Sequence, residues 1–191
     1  MDFSNFYLLS EGFTKGALRL KPRNNIDDPC ALIKGESIPE KPIIFERSEG
    51  GEPKDLIGTE FAMVDILSER VFKLFRENQF TGWATYPVEI YGKNGELIKG
   101  FSGLIVLGRC GKLDNSLCKQ EWRNPPVPTG KPYQTWVGMY FDLKKWDGSD
   151  IFVPESTGYK IVTERVKTAI EKAKFKNITF KRLTEIERMK I

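Results

Sequence analysis

The chain has no histidine. That removes the Ser-His-Asp and Cys-His nucleophile systems, the commonest metal ligand and the usual neutral-pH general base. Carboxylate pairs, lysine and tyrosine remain, so the absence lowers the expectation of an enzyme without abolishing it. Cysteine is scarce: Cys30, Cys110 and Cys118 make an odd count, which disfavours a disulfide framework and suits a reducing cytoplasm. Cys110 and Cys118 are too far apart for a Cys-x-x-Cys pair, and no further ligand supports them. Free structural thiols are expected, with no metal and no cofactor. No apolar run reaches the ~18 residues of a membrane-spanning helix. The opening MDFSNFYLLSEGF lacks the basic and apolar regions of a secretory signal. Phosphate loop, dinucleotide fingerprint and nucleophile elbow are all missing; GFSGL at 100–104 has the wrong frame, with its serine inside a hairpin strand. No catalytic residue is assigned.

What is present is an ordinary soluble composition: 191 residues, 40% hydrophobic and 29% charged. That length suffices to bury a core, and no linker divides it, so residues 1–191 read as a single domain. The net charge of +4 is unevenly placed. Residues 159–191 carry 10 Lys/Arg against 4 Asp/Glu, whereas 36–69 carry 9 acids against Lys41, Arg47 and Lys54. Such asymmetry marks either a partner-facing surface or two solvated faces.

One pattern occurs twice. ILSERVFKLFRENQFTGW at 66–83 returns 95 residues later as IVTERVKTAIEKAKFKNI, sharing Ile66/Ile161, Glu69/Glu164, Arg70/Arg165, Val71/Val166 and Phe80/Phe175. In both copies a short β-prone run (MVDIL, YKIV) precedes Ser68 or Thr163, each placed to cap a helix with its hydroxyl. Glu69 and Glu164 suit the helix dipole. Val71, Leu74 and Phe75, and Val166, Ala169, Ile170 and Ala173, build one apolar stripe per helix. Gly82 and Asn177 tolerate the left-handed cap that would end each helix, and WATYPVEIY and ITFKRL resume strand character. The expected fold is therefore α+β: an antiparallel-rich sheet with two related strand–helix–strand modules, at 62–91 and 158–184, flanking a central hairpin. Asn94-Gly95, between the alternating runs of 87–108, is the turn of that hairpin. TWVGMYFDL (135–143) reads as a half-buried strand, FYLLS and ALRL as further strands, and 34–55 as loop.

Residues 109–134 contain Pro125, Pro126, Pro128 and Pro132 and read as a long, stiff, irregular segment. Trp122 within it either anchors the segment to the core or faces a partner. The acidic stretch 46–60, broken by Gly50, Gly51 and Pro53, reads as an exposed loop. The basic C-terminal module, with Phe175 and Phe180 interleaved, could track a phosphate backbone, although the repeat assigns those rings to packing.

The stretch 141–183 resembles the C-terminal part of bacterial immunity proteins of polymorphic toxin systems, families first catalogued as domains of unknown function. The matching residues are Trp146, Gly148, Asp150, Ile151 and Phe152, then Ile161–Arg165, then Asn177, Ile178 and Phe180. Ser68, Gly82, Pro87 and Val88 match an upstream copy, and KLDNS at 112–116 is similar to an Asp/Ser-bearing segment of such proteins. The resemblance covers 55–120 and 135–185. Some members carry paired Cys-x-x-Cys motifs; this chain has none, so no zinc role transfers. The resemblance implies a non-catalytic, cytoplasmic inhibitor that binds a cognate toxin and blocks its active site, with no membrane partner. Many toxin effectors of such systems have basic, nucleic-acid-binding clefts, so Glu46, Glu49, Glu52 and Asp55 are candidate toxin contacts acting as phosphate substitutes; Trp122 is a further candidate toxin contact. The alternative is a nucleic-acid-associated protein that uses the basic C-terminal module.

Overall fold

Strands outnumber helices throughout the computed structural model, which describes residues 2–61, 63–125 and 127–190. In chain order the elements are β1 (Phe6–Glu11), β2 (Arg19–Pro22), α1 (Pro29–Lys34), β3 (Ile43–Glu49), β4 (Leu56–Thr59), β5 (Asp65–Ser68), α2 (Glu69–Glu77), β6 (Trp83–Tyr86), β7 (Val88–Tyr91) and β8 (Leu97–Ile98). They continue with β9 (Phe101–Val106), β10 (Gly108–Arg109), β11 (Lys119–Arg123), β12 (Tyr133–Val137), β13 (Ile151–Val153), β14 (Ile161–Thr163), α3 (Glu164–Lys172), β15 (Ile178–Arg182) and β16 (Glu187–Met189). The architecture is mixed α and β, mostly sheet, with three helices among the described residues.

The strands form an eight-stranded sheet in the order β6-β9-β5-β4-β2-β3-β7-β8, a five-stranded sheet β10-β13-β14-β1-β15, and a three-stranded sheet β11-β12-β16. Most pairs are antiparallel; β2–β4, β3–β7 and β10–β13 are parallel. The eight-stranded sheet curls, so that Phe45 and Ile90 near one end share a core with Tyr86 and Ile105 near the other, and α1 adds Leu32 and Ile33. That helix is locally encoded. Asp28 accepts from the amides of Cys30 and Ala31, Pro29 opens the first turn, and Gly35 closes the last at φ 71.

A second core lies where α2 meets α3. Val71, Phe72 and Phe75 from α2 and Val166 and Ile170 from α3 are buried with Leu9, Leu56, Leu104 and Ile151 from the flanking strands. A third core, around Phe6, Phe141, Phe152 and Ile161, fills the far side of the five-stranded sheet.

Around α2 and α3 the pairing repeats itself. β5 and β6 both flank β9, with Ser68 opposite Phe101 and Trp83 opposite Val106. β14 and β15 both flank β1, with Thr163 opposite Phe6 and Ile178 opposite Glu11. Leu56 faces Leu67 in β4–β5, as Ile151 faces Val162 in β13–β14. Every one of these residues lies 95 positions from its counterpart.

Several sequence expectations are corrected. The segment 34–55 is not loop throughout: Ile43, Ile44 and Phe45 start β3, and the buried Phe45 holds it. The Asn94-Gly95 turn joins only β7 to the two-residue β8, while β9 leaves the hairpin to pair between β5 and β6. Segment 109–134 contains the regular strand β11, paired along its length with β12; Pro126 lies outside the described residues. β12 stops at Val137, because Gly138 turns at φ 98, although Met139 and Phe141 beyond it are buried. Ser68 and Thr163 make no side-chain cap. Each hydroxyl instead donates to a buried carboxylate, a stronger acceptor than a capping amide is a donor. Gly82 and Asn177 are left-handed, but the helices are closed earlier, by Gln79 (φ 53) and Lys174 (φ 56).

Candidate interaction surface

The carboxylates offered as toxin contacts have unequal fates. Asp55 is buried and serves the fold. Its Oδ1 accepts from the Ser68 hydroxyl at 2.8 Å and lies 3.7 Å from Arg70, while its Oδ2 accepts from the Lys176 amide at 2.9 Å. Asp150 does the same on the other side. It accepts from the Thr163 hydroxyl at 3.1 Å, from Arg165 at 3.2 Å, and from the Thr81 amide at 3.0 Å. Arg70 stacks over Phe175, and Arg165 over Phe80. Each buried acid thus anchors the start of its own helix and the chain leaving the other helix. Neither signal needed the structure to be found, since the two aspartates also stand 95 positions apart.

Glu46 is half-buried on β3 and meets Lys21 at 3.2 Å and Arg23 at 3.5 Å. The hydrogen bond from Lys21 holds its carboxyl below the usual range. Glu52 is exposed and paired with Lys54. Glu49 is exposed at the end of β3, opposite Arg19. The acidic stretch is therefore a strand end and a turn with cations among it, not a free acidic loop.

Trp122 is 65% exposed, so it does not anchor its segment to the core. It sits on β11, an edge strand of the three-stranded sheet. The register sets Trp122 beside Gln134, and Lys190 donates its amide to the Gln134 carbonyl. One step along, Gln120, Trp136 and Arg188 are directly opposite one another. Direct neighbours share a face, so these six side chains form a grid of two tryptophans, two glutamines and two cations. The grid is ordered from within. Lys190 donates to Gln120 at 3.0 Å and Gln134 at 3.1 Å and lies 5.0 Å over the Trp136 ring. Arg188 is held by Asn115 and the Gly138 carbonyl. The opposite face is pinned by Arg123, which makes two bonds to Glu187 and one ion pair to Glu121, raising its own affinity for the proton and lowering that of Glu187.

Burial pushes the Cys110 thiol up to about 12, and burial also raises Cys118, so neither is a ready thiolate. Among the described residues no cluster of His, Cys, Asp and Glu could hold a metal. A groove of about 830 Å³ runs beside α3, between Phe6, Trp146, Arg165 and Lys172. Its counterpart beside α2, of about 510 Å³, lies between Phe101, Lys54, Arg70 and Lys176. Part of the basic module is engaged, Lys160 with Asp65, Arg165 with Asp150, Lys167 with Glu171 and Arg182 with Tyr7, whereas Lys172, Lys174, Lys176 and Lys181 are exposed. Among the described residues no helix is long and apolar enough to cross a membrane.

Compared with known proteins, residues 11–185 match the sequence model described as Immunity protein family (Imm11). No curated protein matches the chain.

Proposed function

Since the chain belongs to the Imm11 immunity protein family, we propose that it binds one cognate bacterial toxin and neutralises it without turnover, by covering the toxin's active-site surface. The carrying observation is Trp122: a large aromatic held 65% exposed on a face whose other side chains are already locked together. Tryptophan and arginine dominate binding hot spots, and a pre-ordered face loses little entropy on docking. The grid contains Lys190 and Arg188 and no acid, so it fits a toxin surface that combines apolar and acidic groups. Glu49 and Glu52, the more exposed acids, contribute at most to the rate of encounter. Binding takes place in the cytoplasm of the producing cell.

The test is co-expression with the candidate cognate toxin domain, sought among the products of neighbouring genes. Wild-type protein restores growth and co-purifies with the toxin; Trp122→Ala, folded by circular dichroism, does neither. Full protection by Trp122→Ala would remove this face from the account. Salt-sensitive retardation of duplex DNA by the purified protein, with no toxin complex, would instead favour a nucleic-acid role.

A further inference from the structure

The repeated pairing crosses over. β1 opens the chain, yet it is inserted between β14 and β15. β9 stands 95 positions later, and it is inserted between β5 and β6. Each strand therefore completes the strand–helix–strand unit of the other half. The buried acids repeat the trade: Asp55 binds the amide of Lys176, and Asp150 binds the amide of Thr81, its equivalent. Reciprocal contacts of this kind, residue i to j' and i' to j, are the signature of a two-fold interface between identical subunits.

Such an interface has an axis, where a residue meets its own counterpart. Asp65 and Lys160 are 95 positions apart, both are buried, and Lys160 Nζ lies 2.9 Å from Asp65 Oδ2. The contact is an ion pair rather than a well-directed hydrogen bond, the ammonium being aimed at the Met63 carbonyl at 3.0 Å. Met63 and Gly158 are also equivalents in contact: a Cβ on Gly158 would fall 2.2 Å from the Met63 sulfur. An acid meets a base, and a large residue meets none. Identical subunits carrying these residues would place acid on acid or base on base there, a buried repulsion, and methionine on methionine, an overlap, or glycine on glycine, a gap.

We infer that the surface joining the two halves is a homodimer interface fused into one chain, that the partner it fits is a second copy of the same 95-residue unit with first strands exchanged, and that the axis residues became complementary after fusion. Strand exchange is a low-cost route to such dimers. A linked pair of copies is then free to differ at the axis, which locks each half to the other rather than to itself.

The two axis positions are equivalent in this reading, so their residues are interchangeable. In the full chain, Asp65→Lys alone and Lys160→Asp alone should each sharply lower the guanidinium midpoint or abolish the cooperative transition. The double variant Asp65→Lys/Lys160→Asp should recover most of the wild-type midpoint, since the Gly158 carbonyl takes the place of that of Met63. A double variant no more stable than the weaker single, or a single as stable as wild type, overturns the inference. Should none of the charge variants fold, the size pair is read in the same way: Gly158→Met fails alone, and Met63→Gly/Gly158→Met recovers. Failure of that double also overturns it.

Discussion

The two halves of the molecule agree around their helices and part company away from them. α2 with β4, β5, β6 and β9, and α3 with β13, β14, β15 and β1, have the same registers, the same buried acid and the same arginine over a phenylalanine. Beyond that frame, the first half continues from β4 through β2, β3 and β7 in one curled sheet, whose interior α1 helps to fill. In the second half the continuation stops at the two-residue β10, and a separate sheet, β11-β12-β16, carries the exposed Trp122. The shared frame is constrained from both sides, because each half depends on the other's strand. The peripheral sheet has no such constraint, and that is where a binding face can be built without loss of the fold.

If the frame holds the molecule together, equivalent truncations within it should hurt alike. Phe75→Ala and its counterpart Ile170→Ala, both in the helix–helix core, should each cost about 3 kcal/mol or more in chemical denaturation. A loss under ~1 kcal/mol at either site would show that the two helices are not equivalent supports. Asp55→Ala and Asp150→Ala come next. Arg70 and Arg165 are mostly exposed, so their ion pairs contribute little. The loss comes from the amide and hydroxyl left without their charged acceptor, and should be about 2–4 kcal/mol at each site. A large loss at one site and none at the other would break the symmetry of the two clasps.

The periphery should behave in the opposite way. Trp122→Ala should change stability by no more than ~0.5 kcal/mol, as befits an exposed side chain; a larger loss would make Trp122 part of the fold. The smallest effect is expected from Glu49→Ser/Glu52→Ser, with Asp55 left intact because it is buried. Toxin association should slow slightly at low salt and be unchanged at moderate salt. A salt-dependent fall in association rate larger than that of Lys190→Gln would move recognition to the acidic end of β3.

The two helices of the frame were legible in the sequence, because they are written in local pattern. Ser68 and Thr163, Arg70 and Arg165, and Phe80 and Phe175 are repeated with the apolar stripes between them, and the helices lie where that pattern puts them. What those residues bond to was not legible. The hydroxyls cap nothing, because Asp55 and Asp150 sit within reach only after the sheets have formed. Asp55 was read as one more acid in a charged stretch, although its spacing from Asp150 repeats that of the helices. The exchange of β1 and β9 is a matter of long-range pairing, on which strand propensity is silent. β3 was hidden because its apolar run, Ile43–Phe45, is short and set between prolines and glutamates. The exposure of Trp122 was open for the same kind of reason: prolines downstream suggested irregular chain, whereas β11 ends before them and pairs with β12.

The sharpest test is the affinity of purified protein for the proposed cognate toxin domain, sought among the products of neighbouring genes, by titration calorimetry, for wild type and Trp122→Ala. Trp122→Ala is expected to weaken binding by about 2 kcal/mol or more, roughly 30-fold, with its unfolding midpoint unchanged. Equal affinities for the two proteins would contradict the proposed role of Trp122.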